Sequence, residues 1–158
     1  DKLKESIRIM LREDEPTLHK FVETTREEYD KCSVEDIAFP RGVTDISKWE
    51  TQDGYAKGTP IGSKSSIIFN HLLDKHNLTQ YQKIREGDKV KFVYLREPNP
   101  LNEQSIAFSS TLPKELNLHP FVDYDTMFKK GYLSPLTTLL ESIGWTAEPV
   151  NDLGGLFV

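Results

Sequence analysis

Cysteine is nearly missing from this chain of 158 residues, where Cys32 stands alone. One thiol excludes an internal disulfide and any multi-cysteine zinc site, and it suits a reducing compartment. Long apolar runs are missing as well. Nowhere do about 18 apolar residues follow one another, the length a membrane-crossing helix needs. The N-terminus lacks the basic stretch, apolar run and small-residue cleavage site of a secretory signal, so the cytoplasm is the expected compartment. No internal repeat or low-complexity tract breaks the chain. The four histidines lack ligand spacing: His71 and His76 are five apart and off-phase for one helical face, while His19 and His119 have no neighbours of ligand type. Cys32 has no base at catalytic-motif spacing and reads as a small residue at a helix end.

An excess of positive charge is the last thing missing. Twenty Lys and Arg oppose 25 Asp and Glu, a net charge of −5, whereas a duplex-binding surface must bring cations to phosphates. The distribution is uneven, however. Residues 1–40 carry 7 basic and 11 acidic side chains, residues 41–96 carry 10 and 6, and residues 97–158 carry 3 and 8. The middle third is therefore the one basic zone. The chain has the length of one domain, able to bury roughly two thirds of its unfolded surface. It opens at Asp1 directly into a helical pattern and is read as a fragment of a longer chain.

The fold expected from periodicity is α+β: a helical pair at the N-terminus, a small antiparallel β element in the middle, a C-terminal helix and an extended tail. Leu3, Ile7, Met10 and Leu11 recur at helical spacing. Leu18, Phe21, Val22 and Tyr29 carry a second stripe, with Pro16 suited to its first turn. Thr44 is expected to cap a short helical turn through Lys48 that ends at Trp49, and Asp53 to Pro60 reads as irregular. A helix bearing Ile68, Leu72 and Leu73 is expected to start at Ser65 or Ser66 and stop at Asn77. Lys89 to Leu95 alternates as a strand, Ser105 to Phe108 is a second short apolar run, and the Pro98-Asn99-Pro100 turn between them predicts an antiparallel pair. Phe92 and Tyr94 alternate with Val90 and read as core. Asp123 to Ile143 reads as helix, broken near Pro135.

Two constellations imitate catalytic sites. Gly58, Ser63, Lys64 and Ser65 approach a phosphate-cradling loop, which needs a second glycine so that backbone amides wrap the phosphate. Ser63 stands at that place, Pro60 removes an amide and no apolar strand precedes, so a nucleoside-triphosphatase reading fails. A loop entering a helix, with serines as caps, is preferred; such an N-terminus flanked by Lys57 and Lys64 can still receive a DNA phosphate. Asp123-Tyr124-Asp125-Thr126 imitates a two-metal site. Such a site requires carboxylates converging from separate elements, whereas these precede an amphipathic helix and serve as cap and first-turn charges.

Four segments in order carry a resemblance: Leu3 to Leu11 continuing to Tyr29; Lys57-Gly58-Thr59-Pro60 through Asn70; Gly87-Asp88-Lys89-Val90-Lys91-Phe92-Val93-Tyr94-Leu95-Arg96-Glu97-Pro98-Asn99-Pro100 with Ile106-Ala107-Phe108; and Asp152-Leu153-Gly154-Gly155-Leu156-Phe157-Val158. Together they resemble the C-terminal thumb of a T-even-type phage family B replicative DNA polymerase. The resemblance implies one thumb domain over residues 1–150 and a flexible tail over 151–158. It implies a clamp over the primer-template duplex that holds sugar-phosphate without reading sequence. Its basic residues match Lys64, Lys57 to within one residue, Lys130 and, as a weaker match, Lys48. Gly62 stands where many relatives carry histidine, Gln104 where some carry lysine, and Ser134 where a lysine can occur. The tail resembles a Leu-Phe ending that docks on a sliding clamp through Leu153, Leu156 and Phe157. The family's palm signatures do not occur in the chain. Catalysis, with its magnesium ions, is therefore expected in a missing palm, the other polymerase domains being further partners, no cofactor is expected in this fragment, and the compartment is an infected bacterial host's cytoplasm. A protein-interaction adaptor that uses the acidic flanks and apolar tail, and never touches DNA, is the alternative from another class.

Overall fold

The computed structural model describes residues 1–149. Its architecture is α+β, and the described chain divides into two compact units, one of residues 1–32 with the chain from Phe128 onward, the other of residues 33–127. Among the described residues no helix is long and apolar enough to cross a membrane.

The first unit opens with α1 (Lys2–Arg12) and α2 (Glu15–Asp30). Asp1 caps α1 by accepting from the Leu3 amide at 3.0 Å, and Asp14 caps α2 through the Thr17 amide, with Pro16 in the first turn as expected. The two helices pack as the periodicity predicts, but the buried face of α1 differs by about one position. Leu11 is 74% exposed and Ser6 is buried. The Ser6 hydroxyl is satisfied inside: it donates to the Lys2 carbonyl at 2.9 Å and meets the Tyr132 hydroxyl at 2.5 Å. Burying an already paired hydroxyl costs little, so a serine takes the place expected of an aliphatic residue. Leu18, Val22, Phe128, Tyr132, Leu136 and Leu140 form the core of this unit.

The C-terminal helical run begins with α6 (Tyr124–Phe128), passes through a π-helical turn (Lys129–Leu133) and ends as α7 (Ser134–Glu141). The expected break near Pro135 takes this form. Proline offers no amide to the carbonyl four residues back, and the ladder widens ahead of it, so that the Ser134 amide reaches the Lys129 carbonyl five residues earlier. Gly144, at φ 73°, then closes the run.

In the second unit, α3 (Val34–Ile37) leads to β1 (Phe39–Gly42), α4 (Ile46–Trp49), the short strands β2 (Glu50–Thr51) and β3 (Gly54–Tyr55), α5 (Ile61–Lys75), β4 (Lys89–Tyr94) and β5 (Ser105–Phe108). β4 and β5 pair antiparallel in the expected place, Phe92 opposite Ala107. β1, not anticipated, joins the other side of β4, with Phe39 opposite Phe92. Its Pro40 is tolerated because β1 is an edge strand. Phe92 and Val90 are buried as expected, and Tyr94 is half-buried. β2 and β3 form a small hairpin inside the segment expected to be irregular.

Two expected helix starts are corrected. α4 begins after Asp45, which sits at φ 61°, and Thr44 is not its cap. The Glu86 carboxylate supplies the missing acceptor, taking the Asp45 amide at 2.7 Å and the Ser47 amide at 3.0 Å. α5 begins at Ile61, four residues ahead of Ser65, because the serines are interior rather than capping. Ser63 donates to the Thr44 carbonyl, Ser66 to the Gly62 carbonyl, and the Ser65 hydroxyl meets that of Ser105 at 2.6 Å. Asn70 is buried and grips the following loop at both ends of its amide, accepting from the Ile84 amide and donating to the Ile84 carbonyl, each at 2.8 Å. Asn77, at φ 53°, follows the helix end as expected.

Candidate nucleic-acid interface

The first turn of α5 is the centre of the candidate site. Proline at 60 fixes the chain in an extended conformation just before the helix. The first amides of any helix have no intrahelical acceptor, and among the described residues nothing accepts from those of Ile61, Gly62 and Ser63. Lys57 is exposed on the loop that enters this turn, beside Gly58 at φ 87°, a value that favours glycine. Lys64 follows in the helix, its Nζ 5.6 Å from the centre of the Tyr55 ring. Lys48 lies on α4, with Nζ 5.0 Å from the Trp49 ring, and Ser63 of α5 holds the Thr44 carbonyl just ahead of α4.

Among the described residues no carboxylate forms an ion pair with Lys48, Lys57 or Lys64. Three glutamates of this unit, Glu50, Glu86 and Glu103, have partners of their own. Glu50 meets His71 Nε2 at 2.8 Å, Glu86 holds the α4 amides, and Glu103 accepts from the Tyr55 hydroxyl at 2.8 Å. Burial and that Glu103 contact push the Tyr55 hydroxyl above its ordinary pKa. Lysine charge near α5 is thus left for a ligand to neutralise.

Lys130 lies on the π-helical turn of the other unit and is exposed. Leu153, Leu156 and Phe157 lie outside the described residues. One cation missed by sequence reasoning, Arg41, rests against α5: its Cβ and Cγ are 3.6 and 3.7 Å from where a β-carbon on Gly62 would stand. It is 21 positions upstream on a strand that sequence patterning did not reveal, and only its place in the basic zone hinted at it. The same distances are ordinary van der Waals contact, so Gly62 is not required by crowding.

Neither catalytic imitation assembles. Residues 61–64 are helix rather than a wrapping loop, and the Ser63 side chain is tied inward. Asp123 spends both carboxylate oxygens on Thr126, Oδ1 on its amide at 3.0 Å and Oδ2 on its hydroxyl at 2.8 Å. That geometry is a helix cap and does not fit magnesium. Asp123→Ala is accordingly expected to lower stability by about 1 kcal/mol, while Asp123→Asn, still a good cap, should stay near the parent in urea unfolding with or without magnesium. A magnesium-dependent difference between the parent and the asparagine variant would contradict the capping role.

No family model matches the chain. It is 28% identical over 159 residues to the DNA-directed DNA polymerase of Enterobacteria phage T4, a match covering 98% of this chain and 17% of that protein. It is 30% identical over 139 residues to the DNA-directed DNA polymerase of Escherichia phage RB69, covering 85% of this chain and 15% of that protein. The chain is homologous to T4-type phage DNA polymerases over most of its length. It spans about a sixth of the length of these relatives. The lysines around the first turn of α5 lie in the stretch of chain that both matches cover.

Proposed function

We propose that this chain is the thumb of a DNA-directed DNA polymerase, gripping the primer-template duplex through its sugar-phosphate backbone. The observation that carries the reading is the set of lysines at 48, 57 and 64, left without carboxylate partners among the described residues around the first turn of α5, in a chain homologous to phage DNA polymerases. Lys130 adds a fourth phosphate contact. Such contacts neutralise charge and carry no base information directly, which suits an enzyme that must hold any sequence. Nucleotidyl transfer belongs to other domains of the longer protein, where magnesium is held. The tail holds the polymerase to a sliding clamp through Leu153, Leu156 and Phe157.

Titrating a labelled mixed-sequence duplex at several salt concentrations tests the grip. Dissociation constants of roughly 10⁻⁴ to 10⁻⁶ M are expected, with log affinity falling by about 0.9 per log unit of salt for each phosphate neutralised. Replacing Lys57, Lys64 and Lys130 together with alanine is expected to lower that slope by about 2.7. A parent slope near zero, or one that the triple variant leaves unchanged, would return the chain to the adaptor reading.

A further inference from the structure

We propose that Arg41 is an additional phosphate contact of this surface, its guanidinium held on the Phe92 ring beside the first turn of α5 and presented to the backbone of duplex DNA. The inference rests on the duplex-gripping reading and adds a residue that the resemblance does not supply. Arg41 is exposed on β1, opposite Val90 of β4. Its Cζ lies 5.4 Å from the centre of the Phe92 ring, and its stem runs along Gly62. Strand and helix together therefore fix both ends of a side chain that would otherwise sweep through solvent.

A cation–π contact uses the charge of a guanidinium and not its N–H groups, which form a planar fork that matches two phosphate oxygens. Among the described residues nothing accepts from those groups and no carboxylate pairs with them. The ring thus restrains the cation without using its donors. A side chain already ordered loses less freedom on binding. Cover for Phe92 alone would not need the donors, since an aliphatic side chain would serve as well.

The test compares Arg41→Gln and Arg41→Met with the parent in the duplex and salt series above, and with Lys57→Gln and Lys64→Gln. Either Arg41 variant is expected to weaken binding at low salt and to lower the salt slope by about 0.9, one phosphate's worth. If both leave slope and affinity unchanged while the lysine variants lower them, Arg41 only stacks and the inference fails, although the gripping reading stands. A parent slope near zero overturns both together. A second measurement needs no substitution: the Arg41 Nε–H resonance of the parent is expected to shift on adding duplex and to return on adding salt. A resonance that stays still would overturn the proposal even if both variants failed to fold.

Discussion

Phe92→Ala is expected to lower the stability of the second unit by about 3–5 kcal/mol, a large share of the 5–15 kcal/mol typical of a whole domain. Phe92 is 1% exposed on β4, the middle strand of the three. Its ring meets Phe39 edge-on at 5.6 Å and 73°, and Tyr94 at 5.6 Å and 68°, geometries that add to the value of burial itself. Truncation would leave a cavity bounded by both neighbouring strands and would also remove the platform under Arg41. Phe92→Leu retains most of the volume and is expected to cost far less, forfeiting chiefly the edge-on ring pairing. Urea unfolding followed by tryptophan fluorescence measures the difference, Trp49 reporting from this unit. A loss below about 1 kcal/mol for the alanine variant would mean that the ring does not anchor the sheet.

What could be seen in the sequence followed how local the signal was. β4 and β5 are adjacent in the chain, alternate clearly and are joined by a Pro-Asn-Pro turn, so their pairing was visible. The α1–α2 pair was visible for the same reason. β1 was not: it is four residues long, contains Pro40 and finds its partner some fifty positions away. The serines of α5 misled because serine at a helix start usually caps, whereas here Ser65 meets Ser105 and Ser63 meets Thr44, partners that only tertiary structure supplies. Glu86 capping α4 from forty positions downstream has the same character. At the candidate site the lysine positions came from a resemblance, and charge counting located only the basic zone. That Glu50, Glu86 and Glu103 have partners of their own, and that a guanidinium lies on Phe92, are facts of packing which spacing does not encode.

If the tail has the proposed tethering role, deleting residues 153–158 is expected to abolish binding to a T4-type phage sliding clamp and clamp-dependent processivity of the proposed longer polymerase, while duplex affinity and urea midpoint stay with the parent. These residues lie outside those described; the proposed tethering role sets the expectation, and energetics set its size. Burying Leu153, Leu156 and Phe157 contributes on the order of 1.5–3 kcal/mol each, and fixing the backbone of a short peptide costs roughly 1–2 kcal/mol per residue. The two nearly cancel, and Gly154 with Gly155 tilts the balance against binding because glycine loses the most freedom on ordering. Weak intrinsic binding is nevertheless enough. In the proposed role, a thumb on a duplex that the clamp encircles would hold its tail at high effective concentration near the pocket, which multiplies a weak contact without any new one. The tail should therefore matter far more to the polymerase on DNA than to the isolated chain in solution. Phe157→Ala should reproduce most of the deletion, since the aromatic ring carries the largest apolar area of the three. Equal clamp binding by the parent and truncated chains in a pull-down on loaded DNA would remove the tail from the tethering role and leave the duplex grip as the segment's whole contribution.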